Sequence, residues 1–136
     1  MTLNLNLNEA SGVVRSFGGE LVSYKKDGIE YVWQGLPEYW SGQAPILFPV
    51  CCSPKDEKMA HNGVEYPMVK HGIARKREFE PIYIARNKVV LEQRETEETL
   101  KMFPFCYSLK VEHEISDNGF STTFTVKNLD KNEMTF

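Results

Sequence analysis

Cysteine is scarce in this chain, and an excess of positive charge is missing altogether. Cys51, Cys52 and Cys106 are the only thiols among 136 residues. They form no C-x-x-C pair and no Cys/His spacing that would gather zinc ligands, so no metal site is expected. The pattern fits reduced, mostly buried thiols in a cytoplasmic protein; a bond between the adjacent Cys51 and Cys52 would be an unusual exception. The net charge of −3 leaves no electrostatic footprint for nucleic acid. The short basic cluster Arg75-Lys76-Arg77 is followed at once by Glu78 and Glu80, and reads as a solvated strand edge. No apolar run approaches the ~20 residues of a membrane-spanning helix. The opening MTLNLNLNEASG lacks the basic-then-apolar order of a secretory signal. Neither nucleic acid nor a membrane is therefore an expected partner. Gly-rich phosphate loops, a G-x-S-x-G elbow and an H-E-x-x-H pair are also missing.

Helical periodicity is equally thin. ETEETLK is the one weak helical candidate, and the acidic run Glu92, Glu95, Glu97 and Glu98 reads as a solvated face. What remains is strand-like from end to end. LNLNLN alternates with period two, as a half-buried strand does. Asp27-Gly28 divides ELVSYKK from IEYVW, Asn62-Gly63 divides KMAH from VEY, and Asn118-Gly119 divides SLKVEHEIS from FSTTFTVKN. Such pairs tolerate the positive φ of tight hairpin turns. Arg86-Asn87-Lys88 is expected to turn PIYIA into VVLEQRE. Regularly spaced short strands with turn signals predict an all-β antiparallel sandwich or barrel. A chain of 136 residues is expected to form one domain spanning 1–136, large enough for a core without a metal or disulfide staple.

Parity assigns faces. Phe105, Tyr107, Leu109, Val111 and Ile115 share one side of a strand, with His113 on the same side; Cys106, Ser108, Lys110, Glu112 and Glu114 take the other. His113 reads as a satisfied or rim histidine. In the next strand Phe120, Phe124 and Val126 face one way.

Two clusters carry candidate chemistry. In YPMVKHGIAR, His71 precedes a glycine that permits a sharp bend and a close ligand approach. Its imidazole can donate or accept near neutral pH, and Arg75 could offer a rigid fork of donors. A structural turn is the alternative reading. Trp33, Tyr39 and Trp40 surround Gly35 and Pro37; they read as core aromatics or, alternatively, as a platform for stacking on sugars.

Taken in order, FGGELVSYKKDGIEYVWQG, EYWSGQAPILFPV, NGVEYPMVKHGIARKREFE and MFPFCYSLKVEHEI resemble the aldose 1-epimerase (galactose mutarotase-like) family, nearest its LacX-type branch. The pattern of that branch runs G-A/G-E-L-x-S, aPvLFP, NGk-Y, HGFAR and yPf-F-L. The resemblance implies a large β-sandwich (galactose mutarotase-like supersandwich) and a cleft for a monosaccharide or sugar phosphate. It also implies interconversion of α and β anomers by general acid–base catalysis, without metal or cofactor. His71 matches the sugar-contacting histidine of HGFAR, Gly72 its glycine and Arg75 its arginine, while Ile73 stands where phenylalanine is usual. Ser53 falls where many relatives carry arginine, and Cys52 where they carry glycine. With Trp40 as the stacking surface, the implied substrate-binding set is His71, Gly72, Arg75, Ser53 and Trp40.

The family's acid histidine and base glutamate would lie beyond Phe136, so the resemblance implies no catalytic residue within these 136 residues and a chain truncated relative to the family. Two functions follow as expectations. One is an aldose 1-epimerase-like protein; the other is a non-catalytic sugar-binding or self-associating β-domain. Open sheet edges predict a homo-oligomer.

Overall fold

In the computed structural model, which describes residues 1–136, the N-terminal alternation becomes β1 (Thr2–Leu7). Leu3 and Leu5 are buried while Asn4 and Asn6 face outward. Burying one such leucine contributes about 2–3 kcal/mol. β1 pairs antiparallel with β2 (Ala10–Arg15), which pairs with β3 (Glu20–Lys26) and through it with β4 (Ile29–Glu30). Asp27 and Gly28 sit at φ 51° and 77°, the conformation expected of the hairpin turn. β4 is far shorter than IEYVW suggests. The Glu30 carboxylate accepts from the Tyr24 and Val32 N–H groups and from the Ser23 hydroxyl, and so takes ladder donors for itself.

The second sheet is also antiparallel. Its order is β10 (Gly119–Asn128), β9 (Tyr107–Ser116), β8 (Lys88–Arg94), β7 (Glu80–Ile84). The predicted parity of β9 holds: Tyr107, Leu109, Val111 and Ile115 are buried, and Phe105 just before it is buried too. The opposite face departs from it at Ser108, which is buried and donates its hydroxyl to Glu92. The turn into β10 is centred on Asp117 and Asn118, with Gly119 already paired to Ser116, one residue earlier than Asn118-Gly119 suggests. A third, two-stranded sheet is the hairpin of β5 (Lys58–His61) and β6 (Val64–Pro67) across Asn62-Gly63. ETEETLK supplies the helix α1 (Glu97–Leu100), opened by a capping box in which Thr96 and Thr99 satisfy each other's backbone N–H.

The two large sheets share one core. Leu3, Leu5 and Val14 from the first meet Val89, Leu91, Leu109, Val111 and Ile115 from the second, with Phe48, Phe79 and Phe103 closing one end. His113 lies inside this layer. Its Nε2 is 2.9 Å from the Gly19 carbonyl and its Nδ1 is 2.9 Å from the Thr122 hydroxyl. A carbonyl can only accept, so Nε2 carries the proton and Nδ1 accepts from Thr122. Both ring nitrogens are satisfied. Burial lowers the His113 pKa; the bond to the Gly19 carbonyl opposes this without reversing it.

Three expectations fail here. Cys51 and Cys52 are exposed and Cys106 is half-buried, so the thiols are not core residues. Trp33, Tyr39 and Trp40 are 40%, 75% and 52% exposed, so they are not a core cluster. Arg75 and Lys76 belong to a 3-10 turn over Ala74–Lys76, with Arg77 its C-cap, and form no strand edge. Phe124 on β10 and Ile82, Tyr83 and Ile84 on β7 are exposed apolar side chains at the two edges of the second sheet.

Candidate functional site

The site is built where three loops meet. The first runs from Pro45 to Pro49 and buries Ile46 and Phe48. The second runs from Lys70 into the 3-10 turn. Backbone groups join them directly: the Phe48 carbonyl accepts from the Ile73 and Ala74 N–H groups at 2.8 and 3.2 Å. This close approach explains Gly72. Its φ is +72°, and any β-carbon there would collide with the Phe48 carbonyl. Gln93, buried on β8, donates to the Ala74 carbonyl and accepts from the Tyr107 hydroxyl, which ties the turn to the core. Burial raises the Tyr107 pKa to about 12, so the hydroxyl keeps its proton.

The third loop, Trp33 to Ala44, is held to β3 by polar side chains. Glu20 accepts from the Gln43 and Ala44 N–H groups. The Gln43 amide donates to the Val22 and Trp33 carbonyls and accepts from Arg15. Trp40 rests over Gly42, where a β-carbon would stand 2.5 Å from the indole. Trp33 donates its indole N–H to the Trp40 carbonyl.

Between the loops lies an open cavity of about 400 Å³ lined by Trp40, Pro45, Leu47, Lys70, His71 and Arg75. That size is within the ~300–1,000 Å³ common for small-molecule sites. His71 and Cys52 are reciprocally bonded: the His71 N–H donates to the Cys52 carbonyl, and the Cys52 N–H donates to His71 Nδ1, both at 2.9 Å. With Nδ1 accepting, the neutral ring carries its proton on Nε2 and keeps that donor unspent. Desolvation first, then the charges of Arg75 and Lys70, lower the His71 pKa and favour this neutral form. Arg75 donates one N–H to the Lys70 carbonyl at 3.1 Å. Its Nε is buried and has no partner. A buried donor left unpaired costs about 1–3 kcal/mol, and this atom has no surface open to the cavity. The lining includes two cations and no carboxylate.

Of the residues the sequence singles out, His71, Arg75 and Trp40 line this one cavity. Gly72 is buried behind it as a backbone joint, and Ser53 is exposed outside the lining. Pro45, Leu47 and Lys70 also line it, within the Ala44–Arg75 stretch whose Pro-bracketed run and His-Gly-Arg loop suit one wall of a small-molecule cleft; the supports Glu20 and Gln43 carry no such signal. The Pro-bracketed run APILFP was the available signal for Pro45 and Leu47. Nothing local in GGEL signals that Glu20 caps a loop twenty-three residues away.

The aldose 1-epimerase family model matches residues 2–136. The LacX proteins of Lactococcus lactis subsp. lactis, plasmid and chromosomal, are each 35% identical over 136 residues, covering 96% of this chain and 46% of their own length. A galactose mutarotase-like protein from Lactobacillus casei superposes with a TM-score of 0.95 at 33% identity, over 98% of this chain and 46% of that one. A galactose mutarotase related enzyme from Lactobacillus acidophilus superposes with a TM-score of 0.94 at 29% identity, over 98% and 45%. The chain thus spans about half the length of these relatives. With its antiparallel sheets and the ordered motifs around His71 in place, the chain belongs to the aldose 1-epimerase family.

Proposed function

We propose that the chain forms one wall of an aldose-binding cleft and serves the interconversion of α and β anomers. One observation carries this reading: an indole, an unspent imidazole N–H and a guanidinium line one cavity. The Trp40 face suits the C–H face of a pyranose, a contact class that contributes about 0.5–1.5 kcal/mol beyond area burial. His71 Nε2–H and the Arg75 guanidinium suit ring hydroxyls. Lys70 and Arg75 also suit a phosphate on the sugar, through charge-assisted hydrogen bonds. The substrate is thus an aldose, free or phosphorylated.

Anomer interconversion needs one group to take the proton of the anomeric hydroxyl and another to protonate the ring oxygen. The cavity offers no carboxylate as a base, and His71 is neutral with Nδ1 already engaged. His71 and Arg75 therefore bind and orient the sugar, and the proton-transfer pair is supplied by groups other than these lining residues.

Tryptophan fluorescence tests the binding step. Titration with galactose, glucose and glucose 6-phosphate is expected to give a saturable change that is lost in Trp40→Ala and weakened in His71→Ala. The phosphorylated sugar binds more tightly at low salt if Lys70 and Arg75 grip the phosphate. No change with any of the three at high concentration refutes the reading. Polarimetry tests the division of labour: the 136-residue chain is expected not to exceed buffer in α-to-β conversion. Clear acceleration, abolished by His71→Ala, would place proton transfer in this cavity.

A further inference from the structure

Cys51 and Cys52 lie beside the cavity and do not line it. Both side chains are exposed, and their sulfurs are 3.9 Å apart. Cys52 has a left-handed backbone at φ +66°. Both polar backbone atoms of Cys52 are bonded to His71, one to its ring and one to its N–H. The conformation of the Cys51–Cys52 segment and the seat of the imidazole are therefore mechanically one unit. The Cys51 thiol is held above its ordinary pKa, first by the hydrogen bond to the Cys52 sulfur and then by the charge there.

We propose that Cys51 and Cys52 form a thiol–disulfide exchange site whose oxidation moves the His71 imidazole. The co-reactant is a small organic disulfide of the glutathione type. The Cys52 thiolate attacks one of its sulfurs, the S–S bond breaks, and one thiol leaves from the resulting mixed disulfide. The Cys51 thiolate then attacks the Cys52 sulfur, expels the second thiol and closes the Cys51–Cys52 bond. The protein loses two protons and two electrons, and the small disulfide gains them as two thiols. Closure draws the sulfurs from 3.9 Å to a bond of about 2.05 Å. Successive α-carbons are about 3.8 Å apart across a trans peptide, below the ~4.4–6.8 Å that disulfides usually span, so the ring is strained and easily reduced. Labile disulfides of this kind are the regulatory ones. Closing the ring re-aims the Cys52 N–H and carbonyl, and both of His71's anchors shift with them.

The test uses the 136-residue protein and oxidised glutathione, with mass spectrometry of alkylated peptides and NMR of the imidazoles. His71 is assigned by its loss in His71→Gln. The expected result is a Cys51–Cys52 peptide lighter by two hydrogens, restored by dithiothreitol, together with a displaced His71 ring resonance. Cys51→Ser, an exposed near-isosteric change, is expected to stop at a mixed disulfide on Cys52 and to leave the His71 resonance in place. Glutathione adducts on both cysteines of the parent protein with no internal bond overturn the proposal. So does an internal bond that leaves His71 unmoved. Neither readout involves sugar, so this outcome is separate from that of the sugar-binding reading.

Discussion

His113 and His71 share a protonation pattern and divide in purpose. Each is a neutral imidazole with Nδ1 accepting and the proton on Nε2. His113 spends that proton on the Gly19 carbonyl, inside the core, and joins the β2–β3 turn to the second sheet. His71 spends nothing beyond Nδ1 and borders an open cavity. A histidine with both nitrogens used builds a fold, whereas one held by a single nitrogen keeps a donor for a ligand. The unspent donor distinguishes the two, since both rings are seated by the same kinds of bond.

Substitutions can break this comparison, beginning with the joint that seats the site. Gly72→Ala sets a β-carbon against the Phe48 carbonyl at a positive φ, and is expected to cost about 3 kcal/mol or more in urea unfolding. A loss under ~1 kcal/mol would mean that the loop yields and the site is soft. His113→Ala is expected to cost about 2–4 kcal/mol, from the cavity and the orphaned Gly19 carbonyl. His71→Ala should cost much less in the same assay, because the ring is half-buried and its loss frees only the Cys52 N–H. Equal losses would erase the distinction.

The same pair differs with pH. The folded pKa of His113 lies below its ordinary 6.5, chiefly through burial. Above 6.5 both folded and unfolded chains hold it neutral, and its contribution is whole. As pH falls below that value the unfolded chain takes the proton first, so stability declines until the folded ring protonates too. The expected decline is at most about 1.4 kcal/mol per pH unit from this residue. Urea midpoints at about pH 7.5 and about pH 5.5 should show it, and His113→Gln should flatten the slope. An unchanged slope in that variant would remove His113 as the cause. The smallest stability effect falls at Trp40. Trp40→Ala is expected to change stability by under ~0.5 kcal/mol, yet to weaken aldose binding about tenfold, the equivalent of about 1.4 kcal/mol.

The contrast also marks how far the residues could be read without coordinates. β9 was legible because period-two burial is a local pattern, and it carried His113 into the core with its neighbours. The hairpins at Asp27-Gly28 and Asn62-Gly63 were legible because their turn chemistry is local, whereas α1 showed only as a weak candidate whose Thr96–Thr99 capping box the structure reveals. The aromatic loop was not. Trp33, Tyr39 and Trp40 resemble core residues in composition, and remote contacts of Glu20 and Gln43 hold their loop against β3. Cys51 and Cys52 are exposed on a segment tied to His71, nineteen residues from Cys52, a contact that no local pattern signals. Within the site, the histidine and arginine followed from family motifs, whereas Lys70, Pro45 and Leu47 became lining residues only when the loops closed around them.

NMR of the His71 and Trp40 side chains during a galactose titration tests the central claim most directly, with His113 as the internal reference. The account predicts saturable movement of the His71 imidazole and the Trp40 indole N–H, while the His113 ring stays fixed. A titration in which His71 and Trp40 remain still at high sugar, or in which His113 moves as far as they do, would contradict it.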